Sequence, residues 1–149
     1  MDHAINLDED FVSKVAKAYP LSPMEKEATE KFIDKNLQEG KICPFKSPQA
    51  APSFSVAKKD RSLRPCQDYH YLNKHTIKDA YPLLLVSTLV HQLKGASIFT
   101  KMDVRSGYNN VHIKEGDQWK ATFIAHKGLF KPTVMFFGLC NSPATFQHS

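Results

Sequence analysis

What most constrains this chain is the alternation of one capped amphipathic helix with short strand-like runs, each closed early by glycine, proline or a charged turn. Ser22 followed three residues later by Glu25 makes a capping box, Pro23 suits the first helical position, and Gly40 suits the stop. Between them Met24, Ala28, Phe32, Ile33 and Leu37 recur at helical spacing, leaving Glu25, Lys26, Glu30, Lys31, Lys35 and Glu39 outward. Residues 42–52 read as loop with a short strand. Residues 53–57 and 63–69 read as strands flanking the polar hairpin turn Lys58-Lys59-Asp60-Arg61-Ser62. After a turn-like stretch over 73–82, residues 87–93 read as a short helix closed by Gly95, and 97–104 as a buried strand ending at an acid. Residues 110–113 and 121–125 continue the strand pattern, and His126-Lys127-Gly128 turns into a run over 129–135. A break at Gly138 precedes Ser142-Pro143, which opens a helix running to Ser149. The pattern predicts an α+β fold, a mainly antiparallel sheet with helices packed on it. Residues 1–20 show weak periodicity and are expected to be a lead-in or linker with a short helix over 11–18.

A chain of 149 residues with 42% hydrophobic content can bury one core, so one globular unit is expected. No apolar run reaches the length of a membrane span, and the acidic start lacks the order of a signal peptide. No membrane partner is expected. Cys43, Cys66 and Cys140 are odd in number and lack C-x-x-C spacing, which argues against a disulfide framework or structural zinc. They are expected to be thiols of an intracellular, reducing compartment, cytoplasm or nucleus. The seven histidines stand singly, with no metal-ligand spacing. Charge is divided unevenly: residues 1–40 hold five lysines and nine acids, a net of −4, whereas residues 41–149 hold fifteen basic and six acidic residues, a net of +9. Such a surface attracts phosphates, or is simply a solvated basic face.

Asp103, at the end of an apolar run, is a candidate ligand for a divalent cation; the plain alternative is a residue capping the turn Arg105-Ser106-Gly107. Tyr108 could lay its ring against a sugar or base, or be an ordinary core aromatic. Lys58, Lys59 and Arg64 could clamp a triphosphate, or be solvated tip residues. Asp68 follows Arg64 by four and is expected to share its side of the strand, where an ion pair fixing Arg64 is as plausible as any catalytic part. Phe136, Phe137 and Gly138 form an apolar turn able to support a stacked base, or simply to pack.

Three blocks in order resemble those of reverse transcriptases from gypsy-type LTR retrotransposons. They are Leu63-Arg64-Pro65-Cys66-Gln67-Asp68-Tyr69-His70-Tyr71-Leu72-Asn73-Lys74, then Phe99-Thr100-Lys101-Met102-Asp103-Val104-Arg105-Ser106-Gly107-Tyr108, then Phe137-Gly138-Leu139-Cys140-Asn141-Ser142-Pro143-Ala144-Thr145-Phe146-Gln147. Tyr81-Pro82-Leu83 and Lys120-Ala121-Thr122-Phe123 also fit, while Ser62, His70, Leu84-Leu85 and Phe136 depart from the usual pattern. The resemblance implies the fingers and an incomplete palm of a right-hand polymerase. Residues 1–20 would be the lead-in and 21–149 the partial reverse transcriptase domain, with fingers near 41–80 and partial palm near 83–149. It implies that Asp103 and the Val104 carbonyl hold Mg²⁺, that Arg64 with Lys58 or Lys59 binds the triphosphate, and that Tyr108 gates against the ribose 2′-position. Phe137 and Gly138 would border the nucleotide pocket. Expected partners are an RNA or DNA template-primer, deoxynucleoside triphosphates and the rest of a pol polyprotein. The implied activity is RNA-directed DNA polymerisation by two-metal-ion catalysis, and this chain is expected to be inactive alone because it lacks the Tyr-x-Asp-Asp block. Apolar faces around Phe99, Val134 and Met135 are then expected to lie uncovered. The alternatives are a non-catalytic, retroelement-derived nucleic-acid-binding protein and a protein-interaction module using the helix that starts at Pro23.

Overall fold

The computed structural model describes residues 2–80 and 85–148. Tyr81-Pro82-Leu83, Leu84 and Ser149 lie outside the described residues. Helix α1, Pro23–Gln38, starts where the sequence signals place it. The Ser22 backbone N–H donates to Glu25 at 2.7 Å, and the Glu25 N–H donates to the Ser22 hydroxyl at 3.3 Å. Gly40 follows the helix with φ +68°, a conformation a side chain would strain. The buried stripe differs from the expected one. Thr29, Ile33 and Asn36 are buried, whereas Met24 is exposed. Thr29 and Asn36 tolerate burial because each donates to its own helix backbone, at Glu25 O and Phe32 O.

Among the described residues five strands form one sheet in the order β1-β5-β4-β2-β3: β1 Ile42–Pro44, β2 Ala51–Ala57, β3 Leu63–Gln67, β4 Phe123–Ala125 and β5 Gly128–Pro132. All pairs are antiparallel except β2 with β4, which joins the hairpin to the later strands. The β2–β3 hairpin has the predicted turn, in register from Ser53↔Gln67 to Ala57↔Leu63. Pro65 is tolerated because β3 is an edge strand. Two apolar clusters result, one around Ile33, Phe123, Phe130 and Val134, the other around Ile5, Tyr69, Leu72, Ile113 and Met135. Val134 and Met135, adjacent in extended chain, serve different clusters, as alternating side chains do. Both are buried, contrary to the expected exposure, while Phe99 is exposed.

The first twenty residues are anchored to the rest of the chain. His3 N–H donates to His112 O at 2.7 Å and Lys114 N–H to His3 O at 2.8 Å, and Ile5 enters the core. The expected helix over 11–18 does not form, because the backbone at Lys14 and Ala16 is bonded to Ala50 in an extended bridge at Val15. Helix α2, His70–His75, lies between the strand expected to end at Tyr69 and the turn-like stretch expected from Asn73, and takes the first three residues of the latter; burial of Leu72 and Tyr69 holds it. Helix α3, Val86–Gln92, matches the sequence reading but buries no residue.

The largest correction concerns residues 97–104. They form no strand, and Ile98 and Met102 are 87% and 86% exposed. An apolar run becomes a strand only when a neighbour pairs its backbone, and among the described residues none does. Residues 110–113 likewise form no strand: Asn110 ends a 3-10 turn, Gly107–Asn110, and His112 and Ile113 make single bridges to Val134 and His3. Helix α4, Ser142–His148, closes the described chain. Among the described residues no helix is long and apolar enough to cross a membrane.

Candidate nucleotide and nucleic-acid site

The hairpin tip is built by its own polar groups. Lys58 N–H donates to Ser62 O at 2.8 Å and Arg61 N–H to Lys58 O at 3.0 Å, with Arg61 at φ +64°. Asp60 accepts from the Ser62 hydroxyl and backbone, which hold its carboxyl below the usual range despite a small opposing effect of burial. Lys58, Lys59 and Arg64 share the concavity at this tip with Asp60. Asp68 is not paired with Arg64. It accepts instead from Tyr19 OH at 3.0 Å and from the backbone and ring of His70. Burial pushes the Asp68 carboxyl up, but these bonds together outweigh it and leave it below the usual range.

Two concavities meet at Phe137. The first, about 490 Å³, runs from the C-terminal turns of α1 to the hairpin and is lined by Lys35, Lys58, Arg64, Gln67, Ser106 and Phe137 among others. The second, about 350 Å³, is lined by Met102, Asp103, Val104, Gly107, Tyr108, Phe137 and Phe146. The Arg64 guanidinium carbon lies 5.8 Å from the centre of the Phe137 ring, within cation–π range. Tyr108 meets the same Phe137 ring edge-on at 5.1 Å and Phe146 at 5.5 Å. One exposed aromatic ring therefore joins a cationic groove to the cavity that holds the Asp103 carboxylate.

Asp103 is exposed, and among the described residues it makes no hydrogen bond or ion pair, so it does not cap the turn that follows. That turn is fixed otherwise. Ser106 adopts φ +51°, and a Cβ at Gly107 would stand 2.9 Å from Phe146 Cζ, so a larger residue there would push the Phe146 ring aside. Gly138 is held at φ +107°, where a Cβ would meet Tyr69 Cδ2 at 3.4 Å and Gln67 O at 3.5 Å. Its carbonyl accepts from the Asn73 amide at 2.6 Å, while Asn73 Oδ1 accepts from Cys140 N–H at 3.0 Å. Asn73 thus clamps the turn that presents Phe137. No single-residue signal in the sequence marked it, because its partners lie more than sixty residues away. Tyr69, whose OH donates to Ala121 O at 2.8 Å, forms the floor beneath the same turn, and burial raises its phenol well above the usual range.

Cys43, Cys66 and Cys140 are free and half-buried. Burial pushes the Cys66 thiol up in spite of nearby Arg64, so it is not an activated thiolate. Among the described residues there is no group of three or more His, Cys, Asp or Glu able to enclose a metal ion.

Comparison with known proteins agrees with this geometry. Residues 56–149 match the family model described as reverse transcriptase (RNA-dependent DNA polymerase). The chain is 33% identical over 148 residues to the transposon Tf2-3 and Tf2-7 polyproteins of Schizosaccharomyces pombe, covering 99% of this chain and 11% of each relative. The native prototype foamy virus protease-reverse transcriptase shares its fold, with TM-score 0.79 and 24% identity over 99% of this chain and 20% of that one. A foamy viral protease-reverse transcriptase solved with double-stranded DNA gives TM-score 0.74 and 23% identity, over 99% of this chain and 29% of that one. The architecture is therefore that of polymerase fingers and palm, and the chain spans a small part of the polyproteins it matches. The chain belongs to the reverse transcriptase (RNA-dependent DNA polymerase) family.

Proposed function

We propose that this chain is the nucleotide-gripping part of an RNA-directed DNA polymerase from an LTR retrotransposon, one that adds deoxynucleotides to a primer annealed on RNA or DNA. The observation that carries the reading is the Phe137 ring, contacted both by Arg64 and by Tyr108 of the Asp103 cavity. Arg64, Lys58 and Lys59 would bind the triphosphate by charge-assisted hydrogen bonds. Tyr108 would stand against the sugar and exclude a 2′-hydroxyl, with Phe137 and Gly138 forming the wall beside the base. Residues 41–80 would act as fingers and 83–149 as part of the palm, following a lead-in over 1–20.

The Asp103 carboxylate and the Val104 carbonyl are oxygen donors of the kind Mg²⁺ takes. They fit part of a site only, since the described residues supply no cluster of three ligands. Substrate phosphates and a second carboxylate would complete it. When bound, the ion would neutralise charge on the phosphates. What the protein's own groups do there is hold the phosphates from the hairpin side and fix the sugar against Tyr108.

The reading is tested by binding and by chemistry. The 149-residue chain should bind a primer-template duplex, with affinity falling as salt rises, and Arg64→Ala should weaken it. The chain alone should extend no primer, because these residues contain no Tyr-x-Asp-Asp sequence. In a polyprotein carrying this segment, Asp103→Asn should abolish extension and spare duplex binding. Extension by the isolated chain, or duplex binding that Arg64→Ala leaves intact, would refute the assignment.

A further inference from the structure

Gln67 is buried, lines the cationic groove with Arg64, Lys58 and Phe137, and its side-chain nitrogen has no hydrogen-bond partner. A buried amide donor without a partner is costly, and such a group in a native protein calls for a functional role or an acceptor supplied from outside the chain. The side chain facing it across the sheet makes no bond to it. Ser53 faces Gln67 directly across the β2–β3 ladder, and the Ser53 hydroxyl is itself buried and unpartnered. The rest of the lining is rich in donors. Lys35, Lys58 and Arg64 carry positive charge, and the Glu39 carboxylate is matched by Lys41 at 2.5 Å. A groove of this composition selects an anion with several acceptor atoms.

We propose that Gln67 is a binding residue whose side-chain amide turns to donate a hydrogen bond to a phosphate oxygen of the ligand held by Arg64 and Lys58. Rotation about the terminal torsion of glutamine is broad and exchanges nitrogen with oxygen. Turned, the amide presents its donor to the groove and its acceptor to the sheet face where the Ser53 hydroxyl lies. The turned amide then donates to the ligand while its oxygen faces the Ser53 hydroxyl. The inference rests on the nucleotide and nucleic-acid reading above. The phosphate has two possible sources, a nucleoside triphosphate or the phosphodiester backbone of a strand.

The test uses the full chain with Gln67→Leu and Gln67→Met. Binding is read by fluorescence anisotropy of a labelled primer-template duplex over a salt series and by titration of a fluorescent deoxynucleoside triphosphate, and folding by thermal melting. Both variants should melt about 3 °C higher, because an unpaired donor is removed. Both should bind phosphate about tenfold more weakly. The slope of log affinity against log salt should stay unchanged, since no charge is lost. Weakening confined to the triphosphate assigns the donor to the nucleotide, and weakening confined to the duplex assigns it to a strand. Variants that bind both ligands as the wild type does, or that lose binding while melting lower, overturn this inference and leave the functional reading standing. A folded wild type that binds neither ligand overturns both.

Discussion

The β2–β3 hairpin and the segment 97–104 make an instructive pair. The hairpin is the more polar of the two in sequence, with Ser53, Ser55, Arg64 and Gln67 in its strands, yet every position from Ser53 to Ala57 has a register partner. The later segment, Ser97-Ile98-Phe99-Thr100-Lys101-Met102-Asp103-Val104, has the stronger local strand pattern and pairs with nothing among the described residues. Pairing, more than apolar content, decides which run becomes a strand, because each extended residue must place its backbone N–H and C=O. For the site this means a firmly held cationic arm and a carboxylate whose own segment is not held by a sheet.

The largest effect that would break this comparison is on stability. Phe123 sits in β4 between β2 and β5 and packs on Phe130 at 5.9 Å. Phe123→Ala should cost about 3–5 kcal/mol, whereas Ile98→Ala should change stability by no more than about 0.5 kcal/mol. Urea denaturation of both variants checks the contrast, and equal losses would show that the segment 97–104 is packed.

Next in size is the turn that touches both regions. Gly138→Ala should cost about 1–3 kcal/mol through its forced positive φ. It should also weaken nucleotide binding, because the same turn presents Phe137 to Arg64 and Tyr108. Tyr69→Phe is expected to be milder, about 1–2 kcal/mol, by stranding the Ala121 carbonyl that its OH now satisfies. Thermal melts rank the two. A Tyr69→Phe protein as stable as wild type would mean that the bond from the start of α2 to residue 121 contributes nothing net.

How much of this could be read in advance follows from where each signal lies along the chain. Helix α1 and the hairpin turn were legible because Ser22, Pro23 and Glu25, and Lys58 to Ser62, act on neighbours a few residues away. The short helix α2 was not, since its N-cap, Tyr69, makes no side-chain cap bond, and what holds the helix is the Asp68 carboxylate at the His70 N–H together with tertiary burial of Tyr69 and Leu72. The parallel pairing of β2 with β4 joins Ala51 to Phe123, a distance along the chain that periodicity does not encode. Arg64, Phe137 and Tyr108 were named as candidates, but their meeting at one ring depends on Gly138 and Asn73, whose roles appear only in three dimensions.

The smallest effect expected is a pH dependence of the anchoring at the N-terminal end, where extended chain is held by bridges without a sheet strand. His3 is buried, with its Nδ1 2.8 Å from the Thr145 hydroxyl on α4. Burial lowers the imidazole below its ordinary value, and nearby Asp117 only partly offsets this. The unfolded chain therefore takes up a proton first as pH falls. Stability from the neutral His3 is fully present above its ordinary value of about 6.5 and is lost as the medium becomes more acidic. Melting temperatures measured at pH 7.5 and 5.5 should show wild type losing more than His3→Asn, which keeps a short polar side chain and cannot titrate in that window. Hydrogen exchange should locate the loss at the His3–His112 and Lys114–His3 backbone bonds. Identical pH responses in the two proteins would mean that protonation of His3 does not loosen this end, and that its bridges to His112 and Lys114 are insensitive to the charge on His3.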